Sequence, residues 1–180
     1  MLQDRRLIQK LKRGDGDALR VIYEKYRTEL VTIAASLLRE GSEAEDVLHD
    51  VFISFASGIM NFQLHGNLKR YLATCVINRV RDRLRKKTFE VIEIDRLSQV
   101  DSGSPPPEQS VILNERTQTL VETLGRIPYE QREVIVLHLK GGMKFREIAV
   151  VQGVSISTVQ GRYRYGLDKM RSVLNEEAVR

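Results

Sequence analysis

Three consecutive prolines, Pro105 to Pro107, stand inside a Ser- and Gly-containing stretch that runs from Ser98 to Ser110 (SQVDSGSPPPEQS). No helix crosses such a run, because proline lacks a donor N–H and biases its predecessor toward extended geometry. On both sides of it, apolar residues recur at helical spacing. Strand-like alternation is confined to Phe89 to Ile94 (FEVIEI), too short to build a sheet. The expected fold is therefore all-α. Two small helical domains, an N-terminal bundle over 1–88 and a C-terminal body over 113–180, are joined by a flexible, acidic, Pro-rich linker over 89–112. Glu90, Glu93, Asp95, Asp101 and Glu108 supply the linker's negative charge.

The inventory of reactive residues narrows the function. A single cysteine, Cys75, excludes an internal disulfide and a cysteine-based zinc site, and it reads as a small core residue. The three histidines, His49, His65 and His138, are scattered without metal-ligand company. No Ser/His/Asp set or phosphate-binding glycine loop is present. Gly14 and Gly16 read as a turn before a helix, since no Lys-Ser or Lys-Thr follows. Neither a cofactor nor enzymatic chemistry is expected. No apolar run approaches the roughly 18 residues of a membrane helix, and charges begin at Asp4, so the expected location is the cytoplasm.

Charge is distributed unevenly in the first half. Helical stretches are expected at Leu7 to Arg13, Asp17 to about Arg39, Glu43 to about Ile59 and Leu68 to Lys87. The third opens on Ser42-Glu43-Ala44-Glu45, a capping-box pattern. It carries Ala44, Val47, Leu48, Val51, Phe52 and Phe55 on one face and Glu43, Asp46 and Asp50 on another. Acidic and apolar groups side by side suit a charge-steered interface with a basic partner helix, although a solvated acidic face has the same pattern. In the fourth stretch, Leu68, Leu72, Cys75 and Val76 face inward. Arg70, Thr74, Asn78, Arg81 and Arg85 form a stripe able to track phosphates. The loop before it, Asn61-Phe62-Gln63-Leu64-His65-Gly66-Asn67, offers amides for base edges and rings for stacking, which suggests capture of unpaired bases.

The second half restarts near Val111, with helices to about Arg126 and from Pro128 to before Gly141-Gly142. A helix-turn-helix then follows. Phe145 to Gln152 is the first helix, Gly153-Val154-Ser155 the turn, and Ser155 the N-cap of the second helix. Val159, Tyr163, Gly166 and Met170 fall on its inner face. Ser157, Thr158, Gly161, Arg164 and Tyr165 fall on the outer one, as in a helix that enters a DNA major groove.

Taken in order, LIQKLKRGDGDALRVIYEKYRTEL, SEAEDVLHDVFISF, LKRYLATCVINRVRDRLRKK and IPYEQREVIVLHLKGGMKFREIAVVQGVSISTVQGRYRYGLDKMR resemble the sigma-70 family of bacterial transcription initiation factors. The two-domain layout is similar to its extracytoplasmic-function group. The resemblance implies a transcription initiation factor that binds core RNA polymerase (β′ and β subunits), recognises promoter DNA and is controlled by an anti-sigma protein. It implies polymerase docking by Glu43, Asp46, His49, Asp50 and Phe52. It implies reading and melting of the −10 element by Asn61, Phe62, Gln63, His65, Asn67, Arg70, Thr74, Asn78, Arg81 and Arg85. Recognition of the −35 element would fall to Ser155, Ser157, Thr158, Gly161, Arg162, Arg164 and Tyr165, with Lys144 and Arg146 on phosphates. The linker would thread toward the RNA exit path. Two other readings carry the same motifs: a free-standing helix-turn-helix regulator of duplex DNA, and a decoy that captures a sigma factor's partners. Within the recognition helix, Gln160 and Tyr163 depart from the common family residues, and the chain has no tryptophan, so the promoter sequence does not follow from the resemblance.

Overall fold

The computed structural model describes residues 2–38, 42–97 and 123–178, and the described residues form helices and turns only. The N-terminal body contains α1 (Leu2–Lys12), α2 (Gly16–Leu37), α3 (Ser42–Ser57), a 3-10 turn (Ile59–Asn61) and α4 (Leu68–Leu97). The C-terminal body contains a helical turn at 123–125, then α5 (Tyr129–Leu139), α6 (Phe145–Gln152) and α7 (Ile156–Ala178).

The periodic apolar residues build the N-terminal core. Ile22, Leu30, Ile33 and Leu37 of α2 meet Val47 and Leu48 of α3 and Leu68, Leu72 and Ile77 of α4, all essentially without solvent contact. Each such side chain contributes about 1.5–3 kcal/mol relative to an exposed one. α1 lies across α2 and is pinned by a buried polar contact. Asp4 accepts from Lys25 Nζ at 2.6 Å and from the Tyr26 hydroxyl at 3.0 Å. Burial pushes the Asp4 carboxyl upward, but these two donors more than offset it and hold it below its ordinary value.

Two boundaries differ from the expectation. α1 begins at Leu2 rather than Leu7, because its Asp4 has a partner on α2. α4 does not stop at Lys87 but runs to Leu97, taking in Phe89 to Ile94, whose β-branched and aromatic residues favour a strand. No glycine or proline interrupts these residues. Extending an established helix adds one hydrogen bond per residue fixed, whereas an isolated strand has nothing to pair with. The Pro-rich linker, and most of the helix expected from Val111 to Arg126, fall in 98–122, outside the described residues.

In the C-terminal body, α5 and α6 pack on α7 around Val134, Leu137, Ile148 and Val159. The turn between α6 and α7 needs Gly153, whose φ of 66° and ψ of 33° lie in the left-handed region that a Cβ disfavours. The N–H of Val154 closes the end of α6 on Ala149 O at 3.0 Å. α5 also packs on α2, so the two bodies touch.

Candidate nucleic-acid and polymerase interfaces

α7 presents the outer face expected of it. Ser155 is its N-cap: Thr158 N donates to Ser155 Oγ at 3.1 Å, satisfying one of the free donors of the first turn. The Ser157 and Thr158 hydroxyls lie 2.8 and 2.9 Å from the same oxygen, so three hydroxyls cluster at the helix start. Ser157, Thr158, Arg164 and Tyr165 are exposed, and Arg164 lies over the Tyr165 ring at 5.0 Å. Gly161 is half-buried with open space where a Cβ would stand; only the Tyr165 ring comes within 4.0 Å. Gly166 is the opposite case: a Cβ there would meet Ile135 Cδ1 at 2.8 Å, so its absence sets how closely α7 approaches α5. Arg162 is half-buried and donates to Gln152 Oε1 at 2.8 Å, bracing the two helices. Lys144 and Arg146 flank the start of α6, both exposed. His138 is a packing residue, with Nδ1 2.9 Å from Met143 O and its ring against Phe145 and Tyr163.

The loop before α4 forms a hollow of about 450 Å³ lined by Asn61, Phe62, Gln63, Leu64, His65 and Tyr71. That size is within the range of small-ligand sites. Asn61, Gln63 and His65 are exposed at its rim. Phe62 is half-buried, with its ring 5.2 Å from Phe55 and 4.7 Å from Tyr71. Tyr71, 41% exposed, is the residue that sequence reasoning missed; burial of its phenol and the neighbouring Cys75 push its pKa up to about 12. Its position one residue after Arg70 places it on the stripe adjoining the arginines, facing the loop, and counting from the helix start would have found it. Cys75 and Asn78 continue that stripe into a second, smaller hollow of about 260 Å³, and Cys75 is half-buried, packed against the edge of the core. Two residues of the expected reading set are engaged by the backbone. Asn67 Oδ1 accepts from Arg70 N at 3.3 Å, capping α4, and the Thr74 hydroxyl donates to Arg70 O at 2.9 Å.

The basic residues of α4 go to different partners, beginning with Lys69, which reaches Glu29 of α2 at 2.8 Å. Arg79, Arg83 and Lys87 turn back onto α3. Arg79 Nε lies 3.6 Å from Asp50, Arg83 reaches Asp46 at 3.8 Å and Asp50 at 3.4 Å, and Lys87 reaches Glu43 at 2.7 Å. The acidic face of α3 is thus partly neutralised from within, although the Asp46 side chain stays 67% exposed. Arg70 and Arg81 instead point at the C-terminal body, and Arg85 is exposed and pairs, among the described residues, with Asp82 on its own helix at 3.0 Å.

On the side of α3 away from those pairs lies an apolar groove lined by Leu19, Tyr23, His49, Phe52, Ile53 and Ala56. His49 stacks on Tyr23, with Nε2 3.3 Å from the phenol oxygen. Phe52 is buried and forms the floor, while Ile53 stands 66% exposed. Ile53 was also missed: the helical period puts it outside the core face, and a lone exposed isoleucine attracts no notice until the groove around it is seen. Among the described residues, no cluster of His, Cys, Asp and Glu could hold a metal ion, and no helix is long and apolar enough to cross a membrane.

This arrangement has counterparts among known proteins. Residues 22–90 match the family model for sigma-70 region 2, and residues 117–170 match that for sigma-70 region 4. The ECF RNA polymerase sigma factor SigW of Bacillus subtilis (strain 168) is 27% identical over 178 residues, covering 94% of this chain and 95% of that one. The solved structure of CnrH in complex with the cytosolic domain of CnrY superposes with a TM-score of 0.70 at 22% identity, over 97% of this chain and 98% of CnrH. Sigma factor RpoE from Bartonella quintana, solved with the anti-sigma factor NepR, gives a TM-score of 0.70 at 24% identity, over 87% of this chain and 96% of RpoE.

Proposed function

The chain belongs to the sigma-70 family of transcription initiation factors, in its extracytoplasmic-function group, and from that premise we propose how its surfaces divide the work. Core RNA polymerase docks on α3, with a basic partner helix drawn by Asp46 and Asp50 and seated beside His49 and Ile53 in the apolar groove floored by Phe52. Glu43 sits at the edge of that surface. The −10 element is read by the N-terminal body. A base that leaves the stack enters the hollow of Asn61, Phe62, Gln63 and His65, with Tyr71 as a second ring, and Asn78, Arg70, Arg81 and Arg85 follow the strand. Asn67 and Thr74 contribute by fixing the start of α4 rather than by touching bases.

The −35 element is read by α7 in the major groove. Ser157, Thr158, Gly161, Arg164 and Tyr165 face the bases, and Lys144, Arg146 and the Ser155 hydroxyl cluster lie beside the phosphates. Strand opening draws on these binding contacts, with no cofactor. The division between the two units falls in the Pro-rich stretch of 98–110, ahead of the region 4 match that begins at residue 117. The chain acts in the cytoplasm, and an anti-sigma protein, of the kind that NepR is for RpoE, restrains it.

A single observation carries this reading. Two nucleic-acid faces of different character, a base-sized hollow with an arginine stripe and a helix-turn-helix, stand on separate helical bodies in the order of regions 2 and 4. Purified chain added to core polymerase should start run-off transcripts at a defined promoter. Binding to duplex DNA with no association with core would instead make it a free-standing regulator.

A further inference from the structure

Two of the three arginines that face the promoter strand in the reading above, Arg70 and Arg81, are held in the free chain by carboxylates of the other body. Arg81 donates to Glu133 through Nε and Nη2, one bond at 3.2 Å and the other shorter, and gives Nη1 to Val151 O at 3.0 Å. Val151 belongs to the last turn of α6, where carbonyls have no partner within the helix. Arg70 Nη1 lies 2.5 Å from Glu147 Oε1, while Glu147 Oε2 caps α6 by accepting from Lys144 N at 2.7 Å. The two contacts are about three helical turns apart on α4.

The Glu133 side chain is only 1% exposed, and a carboxylate so enclosed needs a partner of this quality. The selection of residues is informative. Arg79, Arg83 and Lys87 pair inside the N-terminal body and Arg85 with its own helix. Arg70 and Arg81 cross to the C-terminal body. A carboxylate offers a guanidinium the same forked pair of acceptor oxygens as a phosphate does.

We propose that this contact is a built-in latch. Glu133 and Glu147 occupy Arg81 and Arg70 in place of the promoter's phosphates, so the free chain closes its −10 face on its own C-terminal body. This rests on the assignment of Arg70 and Arg81 to the −10 strand. Strand DNA and the latch compete for the same two guanidinium groups, and the apparent affinity of the free chain for single strands falls with the fraction that is open. Ser157, Thr158, Arg164 and Tyr165 of α7 take no part in the contact and stay exposed, so the latch guards one promoter element and leaves the other uncovered.

The test uses the full chain without polymerase. In E133Q/E147Q both side chains keep their size, and the amide that replaces the Glu147 carboxylate retains an oxygen for the Lys144 N–H. Small-angle X-ray scattering should show a larger radius of gyration than wild type, with helical content unchanged by circular dichroism. Fluorescence anisotropy on a mixed-sequence single-stranded DNA should show about tenfold tighter binding if the closed form outweighs the open one roughly tenfold. A charge-matched control, D17N/E24Q on the exposed face of α2, should leave both readings as in wild type. Unchanged dimensions in E133Q/E147Q overturn the latch. So does expansion without tighter strand binding, or an equal gain in the control. Run-off transcription on the same preparations separates this from the assignment beneath it. Normal initiation with unchanged scattering sinks the latch alone. Expansion in a chain that never initiates with core polymerase sinks the sigma-factor roles and leaves only a clasp between two bodies.

Discussion

α4 and α7 are both helices with arginines on an outward face, yet the free chain treats them differently. The face of α7 is open, and its polar groups satisfy one another locally: Ser155 caps the helix, and Arg164 rests on Tyr165. The face of α4 is partly covered, with Arg70 and Arg81 engaged by Glu147 and Glu133, 77 and 52 positions away in the chain. A local helix-turn-helix is complete once its two helices meet. A long helix with charge on several sides finds partners wherever the rest of the chain brings acid close.

The largest effect that would sharpen this contrast is expected in the polymerase-bound state. R70A/R81A should weaken open-complex formation by about a hundredfold or more, since each charged hydrogen bond contributes about 1.5–3 kcal/mol. R164A, which removes a base contact of about 1–3 kcal/mol, should cost about tenfold in duplex binding and leave its salt slope nearly as in wild type. Filter binding against salt on matched templates checks both, and equal losses would mean that the two helices do not differ in role.

A smaller effect separates the two faces of α7 itself. Gly166→Ala should destabilise the C-terminal body by about 1–3 kcal/mol, because the added Cβ runs into Ile135. Gly161→Ala meets open space and should stabilise by up to about 1 kcal/mol through helix propensity. Urea midpoints of the two variants give the comparison, and a loss at Gly161 would show that its surroundings are tighter than described.

Acid should distinguish the two bodies more weakly. Asp4 has a depressed pKa in the fold, so its contribution is present above the unfolded value of about 3.9 and is lost as pH falls through the folded one. Asp4→Ala should cost about 2 kcal/mol at neutral pH, leaving Lys25 and the buried Tyr26 hydroxyl without this acceptor. It should also flatten the pH dependence of stability below about pH 4. An unaltered acid limb in the variant would show that α1 is held by its apolar residues alone.

Much of the candidate site was legible because its signals are local. The span Phe145–Gln152, the turn at Gly153 and the cap at Ser155 follow from spacing, from glycine's tolerance of positive φ and from a hydroxyl's reach to a nearby N–H. The length of α4 was misread since FEVIEI is rich in β-branched and aromatic residues, which favour strands. Only the absence of a pairing strand, together with an established helix to extend, decides between the two conformations. Tyr71 and Ile53 escaped notice because an aromatic or aliphatic side chain on a helix reads as core until its neighbours show it lining a hollow.

By itself the sequence determined that the chain is helical, and that a helix-turn-helix with a polar outer face follows Lys144, because period, caps and breakers act over a few residues. Only the tertiary structure decided which arginine meets which carboxylate. Arg79 and Arg83 turn to Asp50 while Arg81, between them, turns to Glu133. The physical reason is that successive residues of a helix point about 100° apart, so the destination of each charge depends on what packs against that side, and no local pattern encodes it.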